Sequence, residues 1–293
     1  MKLSIQNKSK QDIFNIQWWQ IFNILSVDVV IGALAGGVMA VRLLHVNPGF
    51  AWWIVMPLSV WIIYTVDHLI DGVKLKKNSH TVRHSFHYYY AKRILVAITI
   101  LGVINFFLIL FYLDERIIHF GLYAGTGTLV YIFAVYQWGG KKSYLLQKEL
   151  FVALIYTVGI WGGPAALRNY ELNTSGIILT VAFFLTVWIA TLVLSVYEVD
   201  YDKLDKHNTI SVNFGVRKTG FLIYFLTSLA FLTAIFEIIT TDDLLMVMAF
   251  KIVLIMVMLL ILILNFPDKI KRNNIYRILV ELVFWLPGLF LLI

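Results

Sequence analysis

Cysteine is absent from this chain, and charged residues are scarce. Without cysteine, disulfide bonds, thiol catalysis and cysteine-ligated metals are excluded. Charged residues make up 14% of the 293 residues, compared with roughly 25% in soluble domains. Hydrophobic residues make up 60%, and the mean hydropathy is +0.81. These values exclude an ordinary soluble domain and predict an all-α, polytopic membrane protein.

A membrane-spanning helix needs about 20 apolar residues, and the sequence contains nine segments that fit. The connections between them are short, so we expect residues 1–293 to form a single transmembrane domain, a nine-helix bundle. The predicted spans are 24–44, 50–73, 93–113, 118–138, 149–167, 176–199, 218–239, 243–265 and 275–293. An odd number of spans places the two termini on opposite sides of the membrane.

The basic residues predict the orientation of these spans. With the N-terminus inside, 20 of the 24 Lys and Arg residues fall in the inner segments, and only Arg42, Arg116 and Arg168 lie in outer ones. Cytoplasmic loops carry the excess of Lys and Arg in membrane proteins. We therefore expect a multi-pass protein of the inner (plasma) membrane, with a cytoplasmic N-terminus and an outer C-terminus. The net charge of +7 follows from this topology, and no nucleic-acid partner is expected.

Two acidic stretches end predicted spans. Asp67 and Asp71 end the second span, and Glu198 and Asp202 end the sixth. Residues four apart share one helix face, and both pairs lie at helix C-termini, where the helix dipole is negative. Two carboxylates about 6 Å apart repel by roughly 3 kcal/mol. Either pair alone is typical of a solvated helix end, but the two together favour a bound cation.

Magnesium is the cation that this set of donors favours. Mg²⁺ takes carboxylate oxygens and commonly binds together with substrate phosphates. Arg83, Lys141 and Lys203 lie in the predicted cytoplasmic segments, and Arg and Lys are the usual partners of phosphate oxygens. Since the helices are apolar enough to accept a lipid tail, the combination predicts a lipidic diphosphate bound at the cytoplasmic end.

The two most polar connections are predicted to form a cytoplasmic cap over a central, lipid-accessible cavity. One connection, 74–92, contains His80, His84 and His87, and the other, 203–217, contains Asp205 and His207. Each connection follows one of the acidic helix ends. For the histidines, the residue pattern favours a solvated loop position over a role as metal ligands.

This arrangement resembles the UbiA superfamily of intramembrane prenyltransferases, and the resemblance covers nearly the whole chain. The family typically ends its second span with Asn-Asp-x-x-Asp-x-x-x-Asp; Ile63 to Asp71 keeps the later two aspartates and lacks the leading Asn-Asp pair. The second motif, Asp-x-x-x-Asp-Arg followed by Thr-Leu-Pro-Val and Gly, is similar to Glu198 to Lys203 followed by Thr209 to Gly215. Tyr136 and Lys141 match loosely a Tyr and Lys pair of the family.

The resemblance implies an enzyme, a Mg²⁺-dependent prenyltransferase. In such a reaction a prenyl diphosphate ionises, pyrophosphate leaves, and the prenyl group alkylates a lipophilic, often aromatic, acceptor. On this interpretation Asp67, Asp71, Glu198 and Asp202 are the catalytic, metal-binding residues, and Arg83, Lys141 and Lys203 bind the diphosphate. The expected partners are the prenyl diphosphate, the acceptor and membrane lipids, with no obligate protein partner.

Two other functions remain open from the sequence. The absent Asn-Asp pair is compatible with a catalytically degenerate member that binds a lipid without chemistry. A secondary transporter is the third possibility. Transporters place polar residues near the membrane midplane on interrupted helices, whereas the acids here cluster at one end of the predicted spans, so this possibility ranks last.

Overall fold

The computed structural model describes residues 18–76, 79–138, 148–169, 173–270 and 275–293. All regular secondary structure in these ranges is helical, which confirms the all-α prediction. The helices are α1 (Trp18–Ile24), α2 (Val27–Leu43), α3 (Gly49–Leu75), α4 (Val82–Tyr89), α5 (Ala91–Tyr112), α6 (Glu115–Trp138), α7 (Lys148–Ala166), α8 (Thr174–Asp205), α9 (Ile210–Phe214), α10 (Val216–Thr240), α11 (Leu244–Asn265), α12 (Pro267–Ile270) and α13 (Ile275–Val283), followed by a 3₁₀-helix (Leu286–Leu291).

Six helices in the described part of the chain are long and apolar enough to cross a membrane, namely α3, α5, α7, α8, α10 and α11. They coincide with six of the nine predicted spans and indicate a membrane protein. The last predicted span is divided between α13 and the 3₁₀-helix. Pro287 explains the division, because it has no backbone N–H to donate to the carbonyl of Val283.

The two helices that carry the acidic pairs are longer than a bilayer requires. α8 has 32 residues, so its axis is about 48 Å long, compared with about 30 Å for the hydrocarbon core. α3 has 27 residues, or about 40 Å. Each helix carries its carboxylates in its last three turns. Both acidic stretches are therefore helical, and α8 extends past the predicted end of its span at residue 199.

The core of the bundle is built around α8. This helix packs against α7, α10 and α11, and its side chains Phe183 and Leu192 are fully buried. α3 packs against α2, α4 and α5, and α2 in turn contacts α7. The two acidic helices therefore belong to separate groups of helices, and α2 and α7 join the groups.

Three of the four predicted outer connections lie together at one end of the molecule. His45 to Asn47, Asp114, Arg116 and residues 167–169 line one small cavity. Arg116 links two of these connections, because its guanidinium donates to the Leu167 carbonyl at 3.0 Å. This grouping agrees with the predicted alternation of the helices between two ends.

Gly72 allows α4 to pack closely on the end of α3. A Cβ atom at this position would lie 2.7 Å from the His84 carbonyl oxygen and 3.1 Å from the Tyr88 amide nitrogen. Both neighbours are backbone atoms, so a side chain here displaces the whole of α4. The glycine is therefore a packing requirement of the first acidic stretch.

We predict that Gly72→Ala destabilises the protein by about 1–3 kcal/mol, the usual cost of overpacking. Gly102→Ala in α5 is the matched control, because nothing lies within 4 Å of a Cβ there and Ala is the better helix former by roughly 0.5–1 kcal/mol. Thermal unfolding in detergent measures both variants. Equal unfolding temperatures for the two variants would show that α4 does not need this close approach.

Candidate functional site

The two carboxylates of α3 share one cation. Lys148, the first residue of α7, places its Nζ 3.0 Å from Asp67 Oδ2 and 3.5 Å from Asp71 Oδ2. The Asp67 side chain is 46% exposed and the Asp71 side chain 17% exposed. The ammonium group supplies the positive charge that the helix C-terminus and the neighbouring carboxylates require.

Glu198 on α8 has a different cation. Arg277 on α13 donates to Glu198 Oε1 from Nε at 2.9 Å and also from Nη2, and the Tyr276 hydroxyl donates to the same oxygen at 3.1 Å. All three contacts use Oε1, so Oε2 takes no part in them. Asp202, one turn further along α8, is half-buried.

The first turn of α7 connects the two acidic helices. Beside Lys148, which contacts α3, the buried Glu149 accepts the Ile210 backbone N–H with its Oε1 at 2.7 Å. Ile210 begins α9, whose first N–H groups have no partner within the helix. The Thr191 hydroxyl on α8 donates to the Glu149 carbonyl at 3.2 Å. Two adjacent residues therefore contact α3, α8 and α9.

The end of α8 is a tight helix-terminating turn. Lys206 has a left-handed backbone with φ of 60°. The His207 N–H donates to the Asp202 carbonyl at 2.8 Å, and the Lys206 N–H donates to the Lys203 carbonyl at 3.4 Å. This pair of bonds is a Schellman motif. It fixes Asp205 as the last helical residue and brings His207 back beside the helix end.

α4 lies between the ends of α3 and α8. Thr81 caps α4 by accepting the His84 N–H at 3.4 Å. The cap positions His84 with Nε2 4.0 Å from Asp71 Oδ2 and Nδ1 3.9 Å from Asp205 Oδ2. His80, just before the helix, places Nδ1 2.6 Å from Asp205 Oδ1. The two acidic helix ends therefore meet through histidines of the 74–92 connection.

The predicted diphosphate-binding residues have different environments. Arg83 is buried, and its guanidinium donates to the Asn23 carbonyl at 2.9 Å and to Asn23 Oδ1 at 2.8 Å, with His68 Nε2 at 3.0 Å. Arg83 therefore holds α4 against α1 and α3. Lys203 is exposed in the last turn of α8. Lys141 lies outside the described residues.

Lys148 and Arg277 were not among the predicted site residues, although they neutralise three of the four predicted carboxylates. Lys148 lies just before the apolar fifth predicted span, and Arg277 lies near the start of the ninth. Both were interpreted as topology signals. The available signal was the acidic pair itself, because carboxylates near the membrane-spanning part of a helix commonly pair with a cation from a neighbouring span.

An apolar groove lies along α13, the helix that also carries Arg277. It has a volume of about 520 Å³ and is lined by side chains of α11, α12, α13 and the 3₁₀-helix, including Leu259, Ile263 and Leu279. Leu279 follows Arg277 by two residues on α13. Ile263 also accepts the Tyr197 hydroxyl with its carbonyl at 2.6 Å. The groove is therefore continuous with the helix that neutralises Glu198.

Comparisons with known proteins found no relative of this chain. No protein-family model matches it, and neither the curated proteins nor the solved structures contain a match.

Removing the shared cation of α3 is expected to increase the affinity of the carboxylates for Mg²⁺. In Lys148→Gln, Asp67 and Asp71 lose their counter-charge, so we expect a Mg²⁺ dissociation constant about tenfold lower than in the unmodified protein, or about 1.4 kcal/mol. The measurement is the shift of the unfolding temperature with MgCl₂ concentration. Lys218→Gln, an exposed lysine at the start of α10, is the control. Identical shifts in both variants would contradict a direct role of Lys148.

Burial of His87 is expected to make the folded protein less stable in acid. It is fully buried, and burial lowers its pKa from 6.5 to about 4, with only partial opposition from its hydrogen bond to the Arg83 carbonyl. Between pH 6.5 and 4 the unfolded chain binds more protons than the folded one, so the free energy of unfolding falls as the pH falls. We expect His87→Gln to remove on the order of 1–3 kcal/mol of this dependence.

The measurement is the unfolding temperature in detergent as a function of pH. His119→Gln is the control, because the His119 side chain is 60% exposed. If His87→Gln and His119→Gln lose stability in parallel with the unmodified protein between pH 6.5 and 4, then His87 is not the group responsible.

Proposed function

We propose that this protein is a Mg²⁺-dependent intramembrane prenyltransferase of the kind that the UbiA superfamily represents. The observation that carries the proposal is the convergence of the two acidic helix ends. Lys148 contacts both aspartates of α3, its neighbour Glu149 anchors α9 after the second acidic stretch, and His84 lies between Asp71 and Asp205. A substrate with several negative charges fits between such groups when cations accompany it.

The proposal includes a full membrane topology. The protein would cross the inner membrane nine times, with its N-terminus and both acidic helix ends in the cytoplasm. This topology accounts for the excess of basic residues in the segments at one end. α4 and α9, which lie at the ends of α3 and α8, would form the cytoplasmic cap. Support for this arrangement comes from the contacts of α4 with α3 and of α9 with α8.

The donor groups suit Mg²⁺ in their chemistry. Asp67, Asp71 and Asp202 offer carboxylate oxygens, and Glu198 offers Oε2, which its contacts with α13 do not use. Hard oxygen donors of this kind are the ligands that Mg²⁺ prefers. These four residues would hold the metal together with the diphosphate. When bound, Mg²⁺ would neutralise the negative charge that develops on the departing pyrophosphate.

In the proposed reaction the bond between C1 of the prenyl chain and the diphosphate oxygen breaks, and pyrophosphate leaves with the electron pair. A new bond forms between C1 and a carbon of the acceptor, which then loses one proton to solvent. Lys148 would turn from the aspartates to the diphosphate, because its Nζ lies at their exposed edge. Lys203 and Lys141 would add positive charge at the cytoplasmic mouth, and Arg83 would act from its buried position through the local electric field.

The lipid parts of both substrates require apolar space. The groove is lined by apolar side chains of α13, the helix that also carries Arg277, whose guanidinium contacts Glu198. A prenyl chain in this groove would have its diphosphate end near the acidic stretch of α8. This placement supports a lipidic diphosphate over a soluble one.

We expect Asp67→Ala and Asp202→Ala each to lower pyrophosphate release from allylic prenyl diphosphates by at least about 100-fold, the usual loss when an electrostatic contact to the reacting charge is removed. The assay supplies MgCl₂ and a panel of lipophilic aromatic acceptors. Asp242→Ala, at an exposed connection between α10 and α11, is the control and should retain full release. Full turnover by both site variants would refute the proposal.

A second candidate function has its own observation. Lys148 already neutralises Asp67 and Asp71, and Arg277 neutralises Glu198. Carboxylates with internal counter-charges have less need of a metal, so a protein that binds a lipidic diphosphate without chemistry is compatible with the site. Calorimetry with a prenyl diphosphate distinguishes the two candidates. Tight binding without any product across the acceptor panel would favour the binding protein.

A further inference from the structure

Three metal-ligating side chains from two separate connections converge between α4 and the end of α8. His84 lies on α4, and Asp205 and His207 flank the left-handed turn that terminates α8. One ligand atom from each residue lies within 4.8 Å of the other two. None of the three belongs to the carboxylates that the proposed prenyl transfer uses.

Each of these residues has a buried polar atom with no hydrogen-bond partner in the described part of the chain. The atoms are His84 Nδ1, Asp205 Oδ2 and His207 Nε2. The Asp205 side chain is only 1% exposed, so bulk water does not satisfy its oxygen. A buried polar atom without a partner costs about 1–3 kcal/mol. Three such atoms in one place indicate a shared partner.

The spacing of these atoms fits an ion better than a direct contact. His84 Nδ1 and Asp205 Oδ2 are 3.9 Å apart, which is too long for a hydrogen bond. Zinc-class ions bind nitrogen and oxygen ligands tetrahedrally at about 2.0–2.2 Å, so two ligands of one ion lie roughly 3.4 Å apart. The pair at 3.9 Å is within about half an ångström of this separation, and small side-chain movements bring all three ligands into range.

Asp205 has on its other oxygen the kind of partner that metal-binding residues usually have. His80 Nδ1 lies 2.6 Å from Asp205 Oδ1, whereas Oδ2 is the oxygen nearest to His84. Hydrogen-bonded partners behind a ligand orient it and raise its basicity. Asp71 Oδ2, at 4.0 Å from His84 Nε2, is too far away for a direct hydrogen bond. One of the three donors therefore already has an outer partner.

We propose that His84, Asp205 and His207 bind a divalent transition-metal ion of the Zn²⁺ class. Two imidazoles and one carboxylate are the donors that zinc-class ions select, whereas Mg²⁺ prefers oxygen ligands alone. The ion joins α4 to the end of α8 and so fixes the two acidic helix ends relative to each other. It stabilises the folded protein and is distinct from the Mg²⁺ of the proposed reaction.

Metal binding by the full-length protein in detergent tests this inference. After treatment with EDTA, the protein is titrated with CoCl₂, followed by visible absorption, and then with ZnCl₂ as competitor, without prenyl diphosphate or Mg²⁺. We expect one Co²⁺ per chain, displacement by Zn²⁺ and an increase of the unfolding temperature. His84→Gln and His207→Gln should lose the absorption bands, and His80→Gln should weaken binding about 10- to 100-fold.

His119→Gln is the matched control, because His119 also lies beside a carboxylate, Glu115, but on an exposed helix surface. It should bind Co²⁺ as the unmodified protein does. Absence of Co²⁺ binding by the folded, unmodified protein overturns the inference, and so does unchanged binding by His84→Gln and His207→Gln. Since the titration needs no substrate, failure of prenyl transfer with intact Co²⁺ binding would reject only the proposed reaction.

Discussion

Carboxylates at the C-terminal end of a helix face the negative pole of the helix dipole, so each one needs positive charge nearby. This constraint governs one end of the molecule, where two long helices end in acidic stretches. Lys148 neutralises the carboxylates of α3, and Arg277 neutralises Glu198 on α8. Lys148 is the first residue of α7 and Arg277 lies on α13. The neutralising contacts therefore also join α7 to α3 and α13 to α8.

The first turn of α7 has the central position in this arrangement. Lys148 and Glu149 point to different helices, and together they contact α3, α8 and α9. A conformational change that draws Lys148 away from the aspartates would therefore be transmitted to α9 through its neighbour. The contacts that stabilise the folded protein therefore couple the acidic end of α3 to the position of α9.

The sequence alone predicted the helical class and the positions of most helices, because hydrophobic periodicity is a local signal. The functional role of the two acidic pairs stays a prediction. The sequence did not predict that Lys148 and Arg277 are the counter-charges, since their partners lie on distant spans. The histidines were interpreted as loop residues, and the structure instead packs His84 between two helix ends. The position of His207 beside these residues depends on the left-handed turn at Lys206, and a lysine stands there in place of the glycine or asparagine that would predict such a turn.

In the proposed reaction, both acidic helix ends bind one diphosphate. The decisive measurement is a structure determined with Mg²⁺ and a non-hydrolysable prenyl thiodiphosphate. We expect the diphosphate to lie between Asp67 and Asp202, with Lys148 on a diphosphate oxygen. If Lys148 stays on Asp67 and Asp71, with the analogue absent or bound elsewhere, the proposed reaction is wrong.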